Sequence, residues 1–118
     1  MAGLDHVIAR LSAERIPGEL WVDGGFLTQS INPNDVDIVL RIAADIYDNG
    51  TLSQQAAIDW LNSDLKTQFH CDSYYFMEWP QGHRLYWYGE MDYAYWMRQW
   101  GMDRAENLKG IAVVRLPI

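Results

Sequence analysis

One cysteine, nine basic residues and no long apolar run set the first limits on this chain. The single cysteine, Cys71, excludes an intrachain disulfide framework and a cysteine-rich zinc site. It fits a reducing compartment. Nine Lys and Arg face sixteen Asp and Glu, a formal net charge of -7. A protein that coats nucleic acid needs a basic face to neutralise phosphates, so no extended nucleic-acid surface is expected. No apolar stretch approaches the roughly 18–20 residues of a membrane-spanning helix. The start, Met1-Ala2-Gly3-Leu4-Asp5-His6, lacks the charged and apolar regions of a signal peptide. No membrane association and a cytoplasmic location are therefore expected.

What is present argues for a packed core. The hydrophobic fraction is 49% and there are six tryptophans, which excludes disorder as the default state. A chain of 118 residues has the length of one domain, expected over 1–118, and needs no metal or disulfide staple. The sequence contains no repeat, low-complexity tract or interdomain linker.

Leu4, Val7, Ile8 and Leu11 recur at helical spacing and predict a helix over 3–15, stopped by Pro17-Gly18. Leu20 to Asp23 reads as a strand that breaks at Gly24-Gly25. Asn32-Pro33-Asn34-Asp35 is turn chemistry, and Val36 to Arg41 reads as a second strand. Its period of two puts Val36, Ile38 and Leu40 on one face and Asp35, Asp37 and Val39 on the other. Ser53 is positioned to cap a helix reaching Leu65. Phe69 to Met77 reads as a third strand, Asp92 to Trp100 as a helix, and Ile111 to Leu116 as a last strand. This alternation predicts an α/β (α+β) fold with one mixed central sheet of about four strands flanked by helices.

The stretch from Leu20 to Leu40 carries the chemistry. Carboxylates at i and i+2 on a strand, here Asp35 and Asp37, point the same way. Their repulsion is costly unless a cation lies between them. Hard oxygen donors in small number suit Mg²⁺, or Mn²⁺, that also touches substrate phosphates. Gly24 and Gly25 after a strand let backbone approach a phosphate. Asp72, inside an apolar strand, is expensive there unless paired or liganding, and can complete a metal site or serve as base. Each feature has a plainer reading. Asp35-x-Asp37 alone can be a turn aspartate and a surface aspartate, Asp72 can face solvent, and Gly24-Gly25 can be only a tight turn. Asp23 fits a brace for that turn better than a ligand.

Gly24-Gly25 followed by Asp35-x-Asp37 resembles the signature of the nucleotidyltransferase superfamily typified by DNA polymerase beta. In that pattern a strand ends in Gly-Gly or Gly-Ser, Asp-x-Asp follows on the next strand, and a later strand supplies a third carboxylate, which maps onto Asp72. The strings Leu20 to Thr28, Asn32 to Asp37, Trp100 to Arg104 and Lys109 to Ile111 are similar to a small bacterial and phage family of unknown function within that superfamily. Many of its members carry Ser in place of Gly25. The resemblance implies a minimal nucleotidyltransferase fold and a metal site of Asp35, Asp37 and Asp72, the same three serving as catalytic residues. It also implies phosphate contacts from Gly24 and Gly25, and a nucleoside triphosphate as substrate. The implied reaction transfers a nucleotidyl group to a hydroxyl acceptor, with a toxin–antitoxin or phage-defence setting in which the acceptor is a partner protein. Arg104 and Lys109, which flank the last strand, are candidates to clamp the triphosphate; the alternative is a solvated basic face.

Aromatic residues crowd the segment from Tyr74 to Trp100. They can form core and a protein interface, through a partner protein or a second copy of the chain, or a stacking platform for a base. The composition favours the first and does not single out a ring for the second. A catalytically weak member of the fold acting as a protein-binding module is thus the alternative function. His70 shares the strand parity of Asp72, whereas Cys71 points the other way, as a small core residue.

Overall fold

The computed structural model describes residues 2–23, 36–69, 71–101 and 111–117. In chain order the elements are α1 (Ala2–Ala13), β1 (Gly18–Asp23), β2 (Val36–Ala43), α2 (Ala44–Asp48), α3 (Leu52–Trp60), α4 (Leu65–Phe69), β3 (Cys71–Glu78), α5 (Tyr86–Gly101) and β4 (Ile111–Leu116). The four strands form one mixed sheet in the order β3-β2-β1-β4. β1 runs antiparallel to both β2 and β4, and β2 runs parallel to β3. The expected α+β class with a four-stranded mixed sheet is what forms.

Both faces of the sheet are covered. Leu20 and Val22 of β1, Ile38, Leu40 and Ile42 of β2 and Cys71 of β3 pack against Leu4, Val7 and Leu11 of α1, Ala57 and Ile58 of α3, and Leu61 and Leu65. Trp21, Val39 and Phe76 point the other way and meet Tyr93, Trp96 and Met97 of α5. The Trp21 ring is 5.6 Å from both Phe76 and Tyr93, edge-on in each case, the geometry that aromatic quadrupoles favour. The period of two along β2 therefore divides its residues between two cores, which is why Ile38, Val39 and Leu40 are all buried.

Several boundaries differ from the sequence reading. α1 spans Ala2–Ala13, ending two residues before the expected position 15, because Arg15 adopts a left-handed backbone, φ 55°. The Ile16 amide then donates to the Leu11 carbonyl at 3.2 Å and the Arg15 amide to that of Ser12 at 2.9 Å, a Schellman stop. The cap of α3 is Thr51 and not Ser53. The Thr51 hydroxyl accepts from the Gln54 amide, and the Gln54 side chain accepts from the Thr51 amide, each at 3.0 Å. That helix ends at Trp60, four residues before Asp64 caps α4 by accepting from the Thr67 amide at 3.1 Å. Phe69 accordingly closes α4 and is not part of β3.

α5 begins at Tyr86, six residues before the expected start at Asp92. Gly89 explains how it lies so close to the sheet. A Cβ at this buried position would stand 3.0 Å from the Glu78 Cα and 3.1 Å from the Met77 carbonyl oxygen. Only a glycine lets the helix rest directly on the end of β3.

The end of the sheet face under the start of α5 is held by Arg41. Its guanidinium donates to Glu78 through Nε at 2.6 Å and Nη2 at 3.2 Å, and to Glu19 through Nη1 at 3.1 Å. It also lies over the Tyr93 ring, 4.8 Å from the centroid. Glu19, Arg41 and Glu78 come from β1, β2 and β3, so one side chain ties three strands to α5. Hydrogen bonding to Glu78, above all, raises the Arg41 pKa beyond its ordinary value.

Candidate active site

β2 and β3 pair in parallel with Val36 opposite Cys71 and Asp37 opposite Asp72. Residues that face each other across neighbouring strands share a side of the sheet, and the strands lie about 4.7–4.9 Å apart. Asp37 is two residues before Val39, and Asp72 is four before Phe76, so both carboxylates belong to the α5 side. Cys71 falls on the opposite side, where it is buried and its thiol donates to the Phe69 carbonyl at 3.4 Å. The alternation of one strand and the register of a pair thus place two acidic groups side by side.

These carboxylates open onto a cleft of about 240 Å³ bounded by Asp37, Asp72 and Tyr74 of the sheet and by Tyr95, Trp96 and Gln99 of α5. The Tyr74 hydroxyl donates to Asp72 Oδ2 at 3.2 Å. Partial burial, first, and then the negative charges of Asp72 and Asp37 raise the Tyr74 pKa above that of a free phenol. The hydroxyl therefore remains a donor over the neutral range and holds Asp72 in one orientation. The Tyr74 and Trp96 rings lie 5.0 Å apart, and Trp96 meets Tyr95 edge-on at 5.0 Å. A second cleft, about 360 Å³, shares Asp72 and Tyr74 and extends along residues 62–66 at the start of α4.

Of the site residues expected from the sequence, Asp37 and Asp72 are brought together. Asp35, Gly24, Gly25, Arg104, Lys109 and His70 lie outside the described residues. Among the described residues no group of three His, Cys, Asp or Glu gathers; Asp37 and Asp72 are the described part of the expected triad. The donor set fits a small hard cation. It consists of carboxylate oxygens on one sheet face, and no basic side chain lines the cleft among the described residues. β1 ends at Asp23, directly before Gly24 and Gly25, and its antiparallel pairing with β2 runs through Val22 opposite Ile38. The glycine pair consequently follows the strand next to the one that carries Asp37.

Three contributors were not picked out from the sequence. Tyr74 was legible in principle, since it lies two residues from Asp72 on a strand. Tyr95 and Gln99 share a helix face at i and i+4, but nothing in the sequence says that this face crosses the carboxylate pair. The aromatic segment itself divides three ways: Tyr93 and Trp96 pack against the core, Tyr74, Tyr95 and the same Trp96 line the cleft, and Trp87 and Tyr88 are exposed near the start of α5. Among the described residues no helix is long and apolar enough to cross a membrane.

The chain matches no curated protein and no solved structure at a significant level. The profile of DUF6932, a family of unknown function, matches residues 1–115, and the chain belongs to that family.

Proposed function

We propose that this chain is a minimal nucleotidyltransferase that binds a nucleoside triphosphate with Mg²⁺ or Mn²⁺. The observation that carries this reading is the direct opposition of Asp37 and Asp72 across parallel strands, on a sheet whose preceding strand runs into Gly24-Gly25. Asp37 and Asp72, with Asp35, would hold the metal, which when bound neutralises charge on the triphosphate and on the departing pyrophosphate. Gly24 and Gly25 offer backbone to the phosphates, and Arg104 and Lys109 offer counter-charge. The acceptor oxygen forms its bond to the α-phosphorus as the bond from that phosphorus to the pyrophosphate oxygen breaks. The acceptor proton passes to Asp72, oriented by Tyr74. The cleft along residues 62–66 gives an acceptor hydroxyl room beside Asp72. A partner protein as acceptor, in a toxin–antitoxin or phage-defence setting, rests on the resemblance alone.

Thermal unfolding with each of ATP, GTP, CTP and UTP, with and without Mg²⁺, tests this reading. A nucleotide at about a hundredfold over its Kd adds roughly 2.7 kcal/mol of stability, and the gain is expected only with the metal present. Asp37→Asn is expected to remove it.

A second reading is favoured by one observation. Trp87, Tyr88 and Met91 are 72%, 61% and 65% exposed on α5, and Tyr and Trp are enriched at protein interfaces. We propose for it a protein-binding module on the same fold, engaging a partner protein or a second copy through α5. No stabilisation by any nucleotide, together with self-association abolished by Trp87→Lys, would favour it over transfer.

A further inference from the structure

The aromatic and amide side chains that α5 hangs over the carboxylate pair have no part in holding a metal or moving a proton. We infer that they form the base-recognition half of the cleft: Tyr95 stacks on the base of a purine nucleoside triphosphate and the Gln99 amide faces the base edge. This deepens the proposed nucleotidyltransfer and rests on it.

Three observations carry the inference. Tyr95 and Gln99 line the same cleft as Asp37 and Asp72, so a ligand held by the carboxylates through its metal extends along them. Tyr95 is 55% exposed, while its neighbour Trp96 is partly buried and packs against Trp21, Val39 and Phe76. Trp96 buttresses Tyr95 edge-on, which leaves a π-face available to a base. Gln99 lies one helical turn further on and presents an amide donor and an acceptor side by side, the pattern that base edges complement. Purines stack over more area than pyrimidines, so stacking on one ring gives a purine preference with modest discrimination by the amide.

The lining also says which part of the ligand goes where. Apart from the two carboxylates it holds phenol, indole and amide groups and no basic side chain among the described residues. Bare phosphate is disfavoured beside Tyr95, whereas a flat, neutral, hydrogen-bonding ring is suited to it. The charged end of the ligand belongs with the metal at the carboxylates.

Titration calorimetry with MgATP, MgCTP and magnesium tripolyphosphate on the wild type, Tyr95→Ala, Gln99→Ala, Leu52→Ala and Asp37→Asn tests this. MgATP is expected to bind the wild type about tenfold or more tighter than tripolyphosphate, and tighter than MgCTP. Tyr95→Ala is expected to lower ATP affinity about tenfold and leave tripolyphosphate unchanged. Gln99→Ala is expected to narrow the gap between ATP and CTP. Leu52→Ala, exposed at the start of α3 and absent from the cleft lining, is expected to change nothing. Asp37→Asn is expected to abolish all binding. ATP and tripolyphosphate binding equally, with no effect of Tyr95→Ala, would overturn the base platform and leave the metal–phosphate site standing. An absence of binding by every ligand would overturn both. Circular dichroism on each variant confirms the fold, and Tyr95→Phe, which keeps the ring, is expected to restore ATP affinity.

Discussion

Asp72 lies opposite Asp37 across the parallel β2–β3 pair, and it accepts a hydrogen bond at 3.2 Å from Tyr74, two residues further along its own strand. The same sheet face carries a second charged group at its other end. There Arg41 sits between Glu19 and Glu78, with Arg115 at 3.9 Å from Glu19, so positive and negative charges balance. Between the two ends lie Trp21, Val39 and Phe76 under α5. One end is thus a tie of three strands. The other sets Asp37 and Asp72 side by side on a cleft bounded by α5.

Arg41→Met is expected to destabilise the fold by about 1–2 kcal/mol, after solvent screening of a pair that is about a quarter to a third exposed. The loss includes two glutamates left facing each other and a cation removed from the Tyr93 ring. Chemical denaturation measures it. Ligand binding at the carboxylate cleft is expected to survive, since the two groups are at opposite ends of the face. A variant as stable as the wild type would show that the three-strand tie contributes nothing.

Gly89→Ala separates helix propensity from packing. Replacing a mid-helix glycine by alanine ordinarily stabilises by about 1 kcal/mol. Here the new Cβ would meet the Glu78 Cα at 3.0 Å and the Met77 carbonyl oxygen at 3.1 Å, backbone atoms that cannot swing away. The expected outcome is net destabilisation, read as a lower unfolding midpoint. An increase in stability would mean that α5 does not rest on β3 at this point.

Much of the site was legible because it depends on short-range periodicity. The alternation of Val36 to Leu40 put Asp37 and Val39 on one face, and the parity of Cys71 and Asp72 put the thiol in the core and the carboxylate opposite. The register that sets Asp37 against Asp72 was not legible, because strand order is decided by long-range packing. The start of α5 was hidden by Tyr86-Trp87-Tyr88-Gly89, residues with weak helix preference that the sheet nevertheless holds in a helix. The break between α3 and α4 was hidden by an apolar stripe that runs on through Leu61 and Leu65, whereas Asp64 resets the capping.

Asp64 makes the stability of α4 depend on pH. Hydrogen bonds from the Thr67 hydroxyl, at 2.7 Å, and then from its amide lower the Asp64 pKa below its ordinary 3.8. A lowered folded pKa gives stability that is present above the unfolded value and lost as pH falls through the folded one. Asp64→Asn is therefore expected to lower the denaturation midpoint at neutral pH and to match the wild type once the pH has fallen through the lowered Asp64 pKa. A difference that is constant with pH would assign the effect to shape and not to charge.

The central claim is that Asp37 and Asp72 are placed together to hold a metal and not to stabilise the fold. Unfolding of the wild type, Asp37→Asn and Asp72→Asn, each measured in chelator and again with Mg²⁺ and ATP, tests it most directly. In chelator both variants are expected to be as stable as the wild type or more so, because a like-charge repulsion has been relieved. With Mg²⁺ and ATP only the wild type is expected to gain stability, by an amount that rises with ligand concentration. Variants that unfold in chelator, or that gain as much from Mg²⁺ and ATP as the wild type does, would contradict the assignment of this pair as a metal site.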